Sequence, residues 1–165
     1  MKEAAMRVPG LLTNATHFLA LLLPGLIAGA TFGIWQGYDP RGLDAAAFVA
    51  VHQEAVRGLN LLLPACGIGS VILIGIAAWL ARKDRPALLL FLVALVCMAA
   101  GGVITRLFNQ TINAEVMGWS VANVPSNWAA LRASWWDWHI IRTLLALAGF
   151  AVAVTAVLRR RSSGA

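Results

Sequence analysis

Apolar residues gather into four long runs, at roughly 11–36, 44–82, 86–113 and 136–159, separated by short polar or charged stretches. A helix that crosses a bilayer needs about 20 mostly apolar residues at a rise of about 1.5 Å each, and every run is long enough. The pattern predicts an all-α integral membrane protein: an antiparallel four-helix bundle, folded as a single domain over residues 1–165. The second run is nearly twice the length a crossing needs. Its first part, Asp44–Asn60, is amphipathic, Pro64 is placed to break or kink it, and Leu61–Leu80 is apolar. Pro24-Gly25 predicts a kink in the first span, and Gly101-Gly102 a close helix approach in the third. The stretch Leu11–Trp35 is too long for a signal-peptide core and lacks a small-residue cleavage site, which predicts a retained first span.

Polar residues interrupt this pattern in stripes. Arg106, Asn109, Gln110 and Asn113 follow the apolar stretch Pro86–Ile104; Trp135, Trp138, His139 and Arg142 precede Thr143–Leu158. Both sets are spaced i, i+3, i+4, i+7, so at about 100° per residue each forms one stripe on one helix face. In the second run Gln53, Arg57 and Asn60 share an arc of about 60°, with His52 beside them. An ionisable residue inside a membrane span costs roughly 2.5–3.5 kcal/mol. Two stripes that each carry an arginine therefore point to a site.

Composition and charge fix the setting. The chain is 60% hydrophobic and 12% charged, against about 25% charged in soluble domains. Its net charge of +6 does not indicate nucleic acid, because the basic residues are not interleaved with aromatics on one surface. They sit at the span ends instead: Lys2 and Arg7, then Arg82, Lys83 and Arg85, then Arg159, Arg160 and Arg161. With four spans all three clusters fall on one side, which the positive-inside rule makes cytoplasmic. The expectation is an N-in, C-in protein of a bacterial inner membrane. That topology delivers all three polar sets to the extracytoplasmic end, beside a long outer loop at 114–134 and near Trp119, Trp128, Trp135, Trp136 and Trp138. Cys66 and Cys97 lie in apolar runs without CxxC spacing and read as buried free thiols.

Two readings of the polar sets stand side by side: a ligand or catalytic pocket, or interhelical hydrogen bonds that only hold the bundle together. The convergence at one end and the two histidines favour the pocket. His139 is the sharpest candidate base, since imidazole exchanges a proton near neutrality. Trp135 and Trp138 would hold a flat apolar substrate, and an arginine would stabilise an oxyanion. His52 is a second base, or shares a copper, iron or zinc ion with His139 and a carboxylate, although no HxxxH or ExxH spacing accompanies them. His17 lies at the other end and reads as structural. Trp35, Trp79, Trp119 and Trp128 suit a membrane interface. Asn14-Ala-Thr16 and Asn109-Gln-Thr111 match the glycan acceptor pattern but fall on the cytoplasmic side and in a helix. No phosphate loop, nucleotide fingerprint or haem-attachment motif is present.

Three segments in order, His52-Gln53 with Arg57 and Asn60, then Gly101-Gly102 through Thr105-Arg106, Asn109-Gln110 and Asn113, then Trp128, Arg132, Trp135-Trp136 and Trp138-His139 with Arg142-Thr143, resemble the anthrone-oxygenase-like family of small four-span membrane proteins. The likeness covers about residues 15–158, and the chain looks like the bacterial, domain-of-unknown-function kind. Fungal relatives oxidise polyketide anthrones to anthraquinones with molecular oxygen, without flavin or haem. The resemblance thus implies an oxygenase or oxidoreductase acting on a hydrophobic aromatic, anthrone- or quinol-like small molecule, with no cofactor expected. It implies His139 as base, Arg106 and Arg142 on the oxyanion, Asn109 and Asn113 orienting the substrate, and Trp135 and Trp138 stacking on it. His52, Gln53, Arg57, Asn60 and Gln110 complete the expected substrate-binding set. The alternative is a non-enzymatic helper whose polar cluster holds a lipid, a quinone or a partner helix. A small transporter is a third reading, which the absence of clear inverted repeats disfavours.

Overall fold

The computed structural model describes the backbone of residues 2–163 and the side chains of residues 10–160. The side chains of Lys2, Arg7 and Arg161 lie outside the described residues. Helix α1 spans Lys2–Gly37, α2 Ala45–Leu59, α3 Leu62–Leu80, α4 Arg85–Ile104, α5 Gln110–Val116 and α6 Trp128–Ser163. A π-helical turn, Thr105–Asn109, joins α4 to α5. Among the described residues there is no strand.

The helix starts follow capping chemistry. Asp44 accepts the Ala47 N–H at 2.8 Å, and Asp84 accepts the Ala87 N–H at 3.3 Å, so each carboxylate satisfies a backbone donor that the first helical turn leaves open. Pro86 follows in the first turn of α4, where its missing N–H costs nothing.

Four stretches are long and apolar enough to cross a membrane: Gly10–Gly42, Leu62–Leu80, Arg85–Val116 and Trp128–Arg160. The membrane fold expected from the apolar pattern is the one observed, with different boundaries. The run 44–82 is two helices. The chain turns at Asn60–Leu61, and Pro64 sits in the first turn of α3, where it is tolerated, so it marks a helix start and not a mid-helix break. Helix α2 is a separate amphipathic element that buries Phe48, Val49 and His52 and packs on α5. The loop expected over 114–134 shrinks to 117–127, because α5 runs to Val116 and α6 begins at Trp128. Helix α1 continues unbroken through Pro24-Gly25.

The four long helices close into a ring in which α1 packs on α3 and α6, and α4 packs on α3 and α6. Glycine permits the approach at particular points. A Cβ on Gly25 would stand 3.2 Å from the Phe150 ring, and one on Gly149 3.1 Å from the Met98 sulfur. Gly101 likewise faces α6, but nothing lies within 4 Å of a Cβ on Gly102, so only the first of that pair serves packing.

Two cores differ in side-chain size. Around the α3–α4 turn the buried set is mostly alanine, with Ala77, Ala78, Ala81, Ala87, Ala94, Ala153 and Ala156 packed about Ile74 and Phe91. At the opposite end Phe48, Ile112, Val116, Trp135 and Trp136 are buried together. Small residues let the helices meet closely at one end. At the other, large rings and the inserted α2 hold them apart, and the polar residues collect there.

Candidate functional site

The π turn positions the site. The Gln110 N–H donates to the Thr105 carbonyl, an i→i+5 bond that adds one residue to the helical turn. Asn109 and Asn113 then face α6. Asn109 is fully buried and its Nδ2 donates to the Trp135 carbonyl at 3.0 Å. Asn113 Oδ1 accepts the Trp135 indole N–H at 2.8 Å and lies 3.1 Å from His52 Nε2. An indole N–H can only donate, which makes this Asn113 atom the oxygen. His52 Nε2 must then carry the proton and donate, which leaves Nδ1 with its lone pair. Among the described residues Nδ1 has no hydrogen-bond partner. The ring itself rests on Phe48 and on the edge of Trp135.

Both ring nitrogens of His139 are engaged. Arg142 approaches its Nδ1 with Nη2 at 2.9 Å and Nε at 3.3 Å. Guanidinium only donates, so Nδ1 is the acceptor and Nε2–H donates to the Thr31 carbonyl at 3.0 Å. Trp135 and Trp136 stack nearly parallel to the imidazole, with centroids 5.0 and 5.6 Å away. Arg142 Nη1 also donates to Thr105 Oγ1 at 3.4 Å. Three of the five guanidinium N–H groups are thereby engaged, and no carboxylate pairs with Arg142 among the described residues.

A cavity of about 1190 Å³ opens beside these groups. Its walls are chiefly apolar and come from α1 to α6, with polar points at Thr31, Tyr38, His52, Asn60, Thr105, Arg106, Gln110, Asn113 and Arg142, and the Trp135 ring. It is at or above the upper end of the usual range for small-molecule pockets. Tyr38 is a member that sequence reasoning missed. Its Oη is buried with no hydrogen-bond partner among the described residues, and only its place just after the first apolar run, next to Asp39-Pro40, could have signalled it.

The predicted residues separate accordingly. His52, Asn60, Arg106, Gln110, Asn113, Trp135 and Arg142 line the cavity, and Gln110 Nε2 donates to Asn60 Oδ1 at 2.6 Å. Arg106 is exposed and makes no hydrogen bond or ion pair among the described residues. Five others do not line it. Asn109 fastens α5 to α6. Gln53 donates to the carbonyls of Val116 and Trp119, both at 2.9 Å, and so closes the end of α5. Arg57 pairs with Glu54 at 2.6 Å on the exposed face of α2, and that bond holds the Glu54 carboxyl below its ordinary pKa. Trp138 stacks on Phe108 at 3.8 Å.

The fifth is His139. The expectation of a cavity-facing base there does not fit this geometry, since its only lone pair is taken by Arg142 and its side chain is fully buried outside the cavity lining. Each imidazole lies against the Trp135 indole, and among the described residues no three His, Cys, Asp or Glu side chains gather in a metal-binding group.

Residues 53–152 match a family model described as anthrone oxygenase. No curated protein and no solved structure matches the chain.

Proposed function

The chain belongs to the anthrone oxygenase family, and from that premise we propose that it is a membrane oxygenase acting on a hydrophobic aromatic compound of anthrone type, with His52 as base and Arg142 as the oxyanion holder. One observation carries this reading. Arg142 is a guanidinium in the wall of an apolar cavity, with no acidic partner among the described residues and with unused N–H donors. A cation desolvated in this way favours a ligand that is, or becomes, an anion.

The proposed chemistry begins with transfer of a ring CH₂ proton to His52 Nδ1. The electron pair left behind delocalises onto the substrate oxygen, and the oxyanion accepts N–H donors from Arg142. Molecular oxygen adds to the carbanion carbon, and the peroxide formed takes a proton back from His52. Loss of water then leaves a carbonyl. One oxygen atom ends in the quinone and one in water, and the CH₂ group supplies all four electrons, so no cofactor enters these steps.

His139 acts through Arg142, as a positioning residue that presents Nδ1 to the guanidinium while Thr31 holds its proton. The orientation is part of the proposal: both termini, with the α3–α4 turn, in the cytoplasm of a bacterial cell, and the polar end of the cavity toward the outer leaflet.

Oxygen uptake by the purified protein in lipid vesicles, supplied with a hydroxylated anthrone, tests the reading. Arg142→Gln should lower kcat by about 10²–10³, the cost of one oxyanion donor, and His52→Gln by about 10²–10⁴, the contribution of a general base. Folded variants that consume oxygen at the unmodified rate would remove both roles.

A further inference from the structure

We infer that the cavity opens sideways through the apolar flank of the protein, between α3 and α4, and that its ligand arrives from the hydrocarbon of the bilayer and not from water. This rests on the reading above only for the identity of what passes.

Three observations converge. First, Ile68 and Ile72 on α3 and Val103 on α4 line the cavity and are also 65%, 56% and 56% exposed. All three belong to stretches apolar and long enough to cross a membrane. A side chain that borders the interior and the outer flank together marks a mouth, and the exposed flank of a spanning helix faces lipid.

Second, burial on α3 and α4 is concentrated toward the connecting turn, with Ile74, Ala77 and Ala78 against Ala87, Phe91 and Ala94, and beyond them only Ser70 and Met98 are buried. In the first eight residues of α3, 62–69, no side chain is buried.

Third, Gly67 and Gly102 line the cavity, and nothing lies within 4 Å of a Cβ built on either. These glycines do not bring helices together. They leave space on the path inward from the flank.

The rim explains the chemistry of the passenger. Below, the mouth is bordered by isoleucine and valine. Above, it meets the hydrogen-bonded Asn60–Gln110 pair and Arg106, which is unpaired among the described residues. A guanidinium at such a place reaches toward the headgroup level while its stem stays on apolar surface. The mouth therefore suits a lipid-dissolved compound with an apolar body and one polar or acidic edge.

Photolabelling tests this without reference to turnover. The full chain in phosphatidylcholine vesicles is irradiated with 3-(trifluoromethyl)-3-phenyldiazirine, a carbene precursor that dissolves in the hydrocarbon, and modified residues are mapped by peptide mass spectrometry. Label is expected at the lipid-facing Leu89 and Val96 and also at Thr31 and Met98, which line the cavity yet are only 3% and 6% exposed. In Ile72→Trp/Val103→Trp the label at Thr31 and Met98 should be lost while that at Leu89 and Val96 persists. The single variants Ile68→Trp and Val103→Trp, expected to reduce wall labelling, serve if the double variant fails to fold. Unlabelled walls in the unmodified chain, or walls labelled equally in folded plugged variants, would overturn the inference. Loss of oxygen uptake in Arg142→Gln with the labelling pattern intact leaves the mouth standing; the reverse pair of results leaves the chemistry standing.

Discussion

At the scale of single residues, the arrangement of proton donors and acceptors separates two histidines that the chain presents as equals. His52 keeps a bare Nδ1 because Asn113 must accept at Nε2, and His139 keeps none because Arg142 must donate. Spacing placed His139 on the same face as Arg142 and Trp135, and that much was legible. Which histidine fronts the cavity was not, because it depends on contacts between residues 52 and 113 and between 31 and 139. A positioning role for His139 has its own signature. Replacing it with alanine removes the acceptor that orients Arg142, a charge-assisted bond of about 1.5–3 kcal/mol, and should lower kcat with little change in KM. His139→Asn, which offers an oxygen near the place of Nδ1, should recover much of that loss. Steady-state kinetics on the two variants decide it; equal losses in both would mean that His139 only fills space.

At the scale of elements, the π turn is the feature no periodicity count would locate. At a uniform 100° per residue Arg106, Asn109, Gln110 and Asn113 form one stripe, yet the five residues Thr105–Asn109 wind more loosely. The loosening explains why Asn109 is buried while Arg106 stays exposed. Deletion of Leu107, which is 60% exposed, should restore a regular helix and turn α5 by about 100°. Asn113 would leave both His52 and Trp135, and activity should vanish together with a drop in the melting temperature. Unchanged activity in the deletion variant would show that α5 tolerates either register. The division of 44–82 into α2 and α3 was half legible: the amphipathic first part and Pro64 announced a change of element, but the position of the turn at Asn60–Leu61 depends on α2 packing against α5.

At the scale of the whole molecule, hydropathy and length were enough for the four crossings, because lipid leaves a helix no backbone alternative. The cavity was not legible, since it arises from the difference between an alanine-rich core at one end and an aromatic core at the other. Sidedness is a matter of charge: Arg82, Lys83 and Arg85 sit at the α3–α4 turn, and Arg159 and Arg160 near the end of α6. With Cys66 and Cys97 replaced by serine, a cysteine at Lys83 should resist a membrane-impermeant maleimide in intact cells, and one at Val121 in the 117–127 loop should react. The opposite pattern would invert the protein in the bilayer and turn the polar end of the cavity to the cytoplasm.

The carbonyl of Thr31 accepts the proton-bearing nitrogen of His139, which ties the first helix to the His139–Arg142 pair. It also lies outside the family-matched region, residues 53–152. A hybrid that grafts only that region behind foreign leading segments would inherit Arg106, Arg142 and His139 but not His52, which falls one residue before it. It would also depend on the foreign helix to present a backbone carbonyl where Thr31 does, the contact that sets the tautomer on which the guanidinium leans.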